Sequence, residues 1–177
     1  MTITDRSPSL RPRPREAAPA ASPTGCSSFK LRQLSRRVSQ RFDAELGMAG
    51  LKTTQYSLLS HIVRLGPVRP GRLAAAMAMD ASTLTRNLQP LLAQGLAVLE
   101  AGDDGRSRQV QATALGLAKR AEAQRAWKRA QLAFNGRIGA ERVARLHALI
   151  DECLALLEQD GSAEAEPLAQ AARVAGR

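Results

Sequence analysis

The chain has no apolar run approaching the 18 residues of a membrane-spanning helix, and its N-terminus has no apolar signal core. No membrane partner and a cytoplasmic location are therefore expected. Cysteine is scarce: Cys26 and Cys153 are too far apart for metal-ligand spacing and too few for a disulfide framework, which suits a reducing compartment. Histidine is equally scarce. His61 and His147 stand 86 positions apart and bring no general base to a nucleophile, and H-E-x-x-H, G-x-x-x-x-G-K and G-x-S-x-G are all missing. No catalytic residue, metal ligand or cofactor motif is identified, no internal repeat is present, and the chain is not expected to be an enzyme.

Acidic residues are the next shortage. Against 26 Lys and Arg stand 16 Asp and Glu, a net charge of +10 that favours a polyanionic partner, most commonly nucleic acid. The imbalance is local: net charge is +2 over residues 1–27, +11 over 28–137 and −3 over 138–177. The middle is thus the expected polyanion contact, and the acidic end is expected to turn away. At 177 residues and 44% apolar content the chain suits one domain with a dimerising appendage. Residues 1–25 hold five of the nine prolines and read as a disordered basic arm. Residues 160–177 read as a flexible tail.

Between them the apolar spacing is helical. Leu31, Leu34, Val38, Phe42 and Leu46 step by three or four, predicting a helix over 28–46 that ends at Gly47 and Gly50. A second helix is predicted from Thr53 to Leu65, stopped by Gly66 and Pro67. Pro70 opens a third, through Met77, at the first-turn position where proline costs least. Asp80 caps a fourth, with Leu84, Leu88 and Leu91 as its buried stripe, a bend expected at Pro90 and a stop at Gly95. Two short strands, 98–101 and 108–112, flank a charged turn. Helices over 114–136 and 140–159 follow, the latter with a heptad-like seam of Val143, Leu146, Ile150, Cys153 and Leu157, in which Cys153 reads as a core residue.

The fourth helix carries the chemistry. Opposite its leucine stripe stand Ser82, Thr83, Arg86 and Gln89, which in a major groove offer hydroxyls, a guanidinium and an amide to bases and phosphates. Arg86 suits a guanine edge or a phosphate equally. In the turn between the strands, Arg106 is expected to enter a minor groove, oriented by Asp104, with Arg108 as the second choice. The competing reading of these groups is a solvated helix face and a solvated turn.

This order of elements resembles the MarR family of winged-helix regulators over roughly residues 28–159. The strings that carry the likeness are Gly50-Leu51, Gln55-Tyr56, Leu73-Ala74 through Asp80, Ser82-Thr83-Leu84-Thr85-Arg86, Gly95-Leu96, Asp104-Gly105-Arg106 in a D-x-R wing pattern, and Thr113 to Gly116 as T-x-x-G. Two positions depart from the pattern. Arg69 stands where a capping Ser or Thr is usual, and Ala112 where a larger apolar residue is.

The resemblance implies a mainly α fold: a winged helix-turn-helix with N- and C-terminal dimerisation helices. Residues 53–113 would form the DNA-binding core, and 28–46 and 114–159 the dimer helices. It further implies a homodimer that represses transcription from a pseudo-palindromic operator on double-stranded DNA. Release would follow binding of a small aromatic acid, such as a hydroxynicotinate or hydroxybenzoate, as in repressors of aromatic catabolism. Tyr56 and His61 on the second helix, and Arg36, Arg37 or Arg41 on the first, are the candidate effector contacts. A winged-helix module that binds an acidic protein, and a redox-responsive regulator using Cys26, are the alternatives.

Overall fold

The structure, a computed structural model, describes residues 24–102 and 107–175. Six α-helices and one two-stranded sheet occur among them in the order α1 (Ser27–Leu46), a 3-10 turn (Gly47–Ala49), α2 (Thr53–Leu65), α3 (Pro70–Ala76), α4 (Ala81–Ala93), β1 (Ala97–Ala101), β2 (Arg108–Ala112), α5 (Ala114–Ile138) and α6 (Ala140–Ala175). The architecture is the mainly helical winged helix expected. None of the helices is long and apolar enough to cross a membrane.

Helix ends are fixed by identifiable devices. At Gly50 and Gly95 the backbone turns left-handed, φ 72° and 65°, where glycine carries no Cβ penalty. At the first, Leu51 N–H reaches the carbonyl of Leu46; at the second, Leu96 N–H reaches that of Leu91, so both close by the six-to-one bond of a Schellman motif. The start of α2 borrows its cap. Asp43 on α1 accepts from both the amide and the hydroxyl of Thr53, each at 2.6 Å, which welds α1 to α2. Arg69 precedes α3 without a side-chain cap, as the sequence implied. Pro90 does not end α4, which continues to Ala93.

The wing is an antiparallel pair with Ala97 opposite Ala112 and Ala101 opposite Arg108. Val68, just before α3, exchanges backbone hydrogen bonds with Val110 and so ties the helix-turn-helix to β2. Thr113 then joins wing to α5: its hydroxyl donates to the Gly95 carbonyl at 2.7 Å and accepts from the Gly116 amide at 3.0 Å. A Cβ at Gly116 would lie 1.9 Å from the Leu96 carbonyl oxygen, so the T-x-x-G string is required by the approach of α5 to the end of α4.

The core sits where α2, α4 and β2 meet under α1 and α5. Leu46, Leu51, Leu58, Leu59, Ile62, Leu73, Leu84, Leu91 and Val110 are fully buried there. Along α5 the residues inside are small, Ala123, Ala126 and Ala130, with Trp127 and Phe134 half-buried beside them. The small side chains let α1 and α5 pack closely, and Arg129 on α5 lies 3.3 Å from Glu45 on α1.

Two expectations change at the C-terminal end. Helix α6 continues to Ala175, past Gln159 and into the segment read as a flexible tail, because Ala, Glu, Gln and Leu favour helix over much of that stretch. Cys153 is exposed rather than in a core. Within the chain α6 packs mainly on α5; of its seam only Val143 is buried and Leu146 half-buried, while Ile150 and Leu157 stand open.

Candidate nucleic-acid interface and interhelical cavity

The exposed face of α4 is organised from its cap. Asp80 accepts the Ser82 hydroxyl at 2.6 Å and the Thr83 hydroxyl and amide at 2.7 and 2.8 Å. Those bonds, the Ser82 hydroxyl first and then the Thr83 groups, hold the Asp80 carboxyl well below the usual carboxylate range although it is exposed. Ser82 Oγ, its proton given to Asp80, accepts from the Arg86 guanidinium at 3.3 Å. Arg86 is thereby tethered along the helix. The sequence placed Ser82 and Thr83 as general hydroxyl contacts; the structure spends both hydroxyl protons on Asp80, so each oxygen is left as an acceptor.

Ser82, Arg86 and Gln89 are exposed, and Thr83 is half-buried. Thr85, which the leucine periodicity did not single out, is exposed on the same helix, with its hydroxyl donating to the Ala81 carbonyl at 2.8 Å. In the wing, Arg108 is exposed and its guanidinium reaches the Leu99 carbonyl at 3.4 Å. Asp104 and Arg106 lie outside the described residues.

The second region is a cavity of about 520 Å³ between α1, α2 and α5. Helix α2 contributes Tyr56, Ser57, Ser60 and His61, with Thr53 at its start; α1 contributes Val38, Ser39 and Phe42; α5 contributes Arg120, Gln124 and Trp127. Tyr56 and Trp127 stack with centroids 6.3 Å apart and planes 26° from parallel. His61 Nδ1 lies 2.9 Å from the Ser57 carbonyl, which only accepts, so Nδ1 carries a proton and neutral His61 presents Nε2 as an acceptor.

Two polar atoms of this cavity lack partners. Ser60 Oγ and Arg120 Nε are buried and make no hydrogen bond, while the other end of Arg120 donates to Gln124 Oε1 at 2.9 Å. A buried donor without an acceptor is costly, and a guanidinium in an aromatic-walled cavity is matched best by an anion.

Tyr56 and His61 both line this cavity, whereas Arg36, Arg37 and Arg41 are exposed on α1 and absent from its lining. The face of α1 that meets the cavity is the one carrying Val38 and Phe42. The cation that does line it, Arg120, was missed because α5 is rich in basic residues and its sequence does not say which one faces α2. Cys26 is exposed immediately before α1, and His147 is exposed on α6.

A helix-turn-helix followed by a two-stranded wing and framed by long helices defines a winged-helix protein. Residues 49–107 match the family model described as MarR family. Among solved structures, the chain is similar to the transcriptional regulator MosR of M. tuberculosis in complex with DNA, at 29% identity, 73% of this chain, 98% of that one and TM-score 0.59. It is similar also to a probable transcriptional regulator from Pseudomonas aeruginosa, at 27% identity, 71% and 94% coverage and TM-score 0.65. Wild-type MarR from E. coli, 19% identical over 75% and 99% of the two chains with TM-score 0.60, shares the fold. No curated protein sequence matches. The chain is thus similar, over residues 49–107, to the MarR family model and, over about 70% of its length, to solved transcriptional regulators.

Proposed function

We propose that the protein is a DNA-binding transcriptional repressor that acts as a homodimer and leaves its operator when a small aromatic carboxylate binds. The observation that carries the DNA-binding reading is the exposed face of α4, where Asp80 and Ser82 orient Arg86 within a segment of net charge +11. A similar protein supports it: MosR, 29% identical, was solved in complex with DNA. Dimerisation accounts for the exposed leucines of α6 and of the start of α1, which a second copy would cover.

The effector reading rests on the α1–α2–α5 cavity. Its walls are aromatic and apolar, its volume suits a small ring, and the unpartnered Arg120 Nε and Ser60 Oγ supply donors that a carboxylate needs. Because α5 begins at the wing through Thr113, a ligand that draws on Arg120 has a short route to the reading head. Release requires the acid to favour the DNA-incompetent arrangement, and a tenfold loss of DNA affinity corresponds to about 1.4 kcal/mol of coupling.

Footprinting on the DNA next to the gene should show a symmetric protected site. Adding 6-hydroxynicotinate or a hydroxybenzoate to the preformed complex should release it, and Arg120→Ala should abolish the release while keeping DNA binding. A symmetric footprint with no acid bound by calorimetry would remove the effector reading; no protected site would remove the repressor reading.

A further inference from the structure

The interhelical cavity has two unlike ends. Helix α2 runs toward the wing, since Val68, just past its end, exchanges backbone hydrogen bonds with Val110 of β2, whereas α5 leaves the wing directly after β2. The two helices therefore pass antiparallel. At the end away from the wing Tyr56 stacks on Trp127, and Phe42, in edge contact with Phe134 two turns beyond Trp127, lies at that same end. Nearer the wing stand Ser60 and His61, a turn further along α2, with Gln124 and Arg120 one and two turns back along α5. Aromatic surface thus gives way to polar groups along the cavity.

Those polar groups are not of one kind. Arg120 Nε only donates, and Ser60 Oγ both donates and accepts; each is buried without a partner. Gln124 Oε1 is already taken by Arg120. His61 is the opposite of Arg120. Its Nδ1 gives a proton to the Ser57 carbonyl, one turn back on the same helix, which fixes the ring before any ligand arrives. Nε2 is left as an acceptor with no partner among the described residues. An aromatic ring whose only polar group is a carboxylate satisfies the donors and turns a C–H toward this nitrogen.

We propose that His61 is the specificity-determining residue of this cavity: its Nε2 accepts a hydrogen bond from a ring hydroxyl or ring N–H of the effector, and the acid lacking such a donor is rejected. The inference rests on the effector reading above and deepens it. The carboxylate goes to Arg120 Nε and Ser60 Oγ, the donor goes to His61, and the ring lies against Tyr56 and Trp127. Discrimination comes from the group left unpaired. A ring that displaces water from Nε2 without replacing its hydrogen bond strands a desolvated acceptor. A site built to bond a hydroxyl therefore rejects the analogue lacking it more strongly than an apolar pocket rejects by size.

The test is calorimetry of the full chain with benzoate, the monohydroxybenzoates and their methoxy ethers, which keep the oxygen and lose the proton, for wild type, His61→Leu and His61→Gln. Trp127, the chain's single tryptophan, lines the cavity and reports occupancy by its fluorescence. In the wild type at least one hydroxy acid should bind about tenfold or more tightly than both benzoate and its own ether. His61→Leu should bring that ratio to about one by weakening the hydroxy acid alone, and His61→Gln, whose Oε1 accepts, should restore part of it. Equal binding of benzoate and every hydroxy acid to the wild type, a comparison that needs no variant, overturns the inference and leaves the effector reading standing. Equal weakening of benzoate and hydroxy acid in His61→Leu means that His61 meets the carboxylate or only supports the fold, and also overturns it. A wild type that binds none of these acids removes the effector reading itself.

Discussion

The winged core and the C-terminal helix use leucine in opposite ways. In the core, Leu58, Leu59, Leu73 and Leu91 are 0% exposed; along α6, Leu149, Leu154, Leu156 and Leu157 are 53–67% exposed. The same residue type at the same helical spacing is a completed interior in one region and an uncovered face in the other. Periodicity reports that a helix has an apolar side, and only the number of neighbouring elements decides whether one chain can cover it. α2 has α1, α3, α4, α5 and the wing around it, whereas α6 has mainly α5.

The sharpest way to break this comparison is to shorten one leucine in each region. Leu59→Ala should cost about 2–5 kcal/mol, because the removed atoms leave a cavity that the surrounding helices fill only in part. Leu156→Ala should change the stability of the isolated chain far less. Urea denaturation of both variants at low protein concentration checks the difference, and equal losses would mean that α6 is already covered.

A charge tests what covers α6. Ile150→Asp should convert a micromolar dimer to monomer in sedimentation velocity, since burying an unpaired carboxylate in an apolar interface is strongly unfavourable. The winged core should keep its melting transition. An unaltered dimer would move the interface elsewhere.

The smallest effect concerns the cap of α4. The folded-state pKa of Asp80 is depressed by the Ser82 and Thr83 bonds, so its contribution is complete above the ordinary carboxylate value and is lost as pH falls below that value toward the folded one. Hydrogen exchange at the Thr83 amide should therefore remain protected near neutrality and gain an acid-dependent opening below about pH 4. Asp80→Asn should remove that dependence, and a wild-type amide that stays equally protected through the acid range would show that the bond to Asp80 does not govern it.

Much of the helix-turn-helix was legible because its signals are local. The leucine stripe of α4, the cap at Asp80, the stop at Gly95 and the proline opening α3 each act within a turn or two, and each stands where expected. Glycine carried more than a stop: Gly116 is required by the Leu96 carbonyl, a contact between residues twenty positions apart that the T-x-x-G string marked without explaining. In the cavity, Tyr56 and His61 were legible from their place on α2, but the cation was not. Arg36, Arg37 and Arg41 were read from their number on α1, and number says nothing of direction.

By itself the sequence determined the element types, their order and the concentration of positive charge on residues 28–137, since these follow from periodicity, capping and composition along one chain. Tertiary structure decided which arginine enters the interhelical cavity and that the hydroxyl protons of Ser82 and Thr83 are spent on Asp80. Arg120 shares that cavity with Tyr56 across a gap of 64 positions in the chain. Such a meeting is set by how α2 and α5 rotate as they pack, which no local rule along the chain encodes.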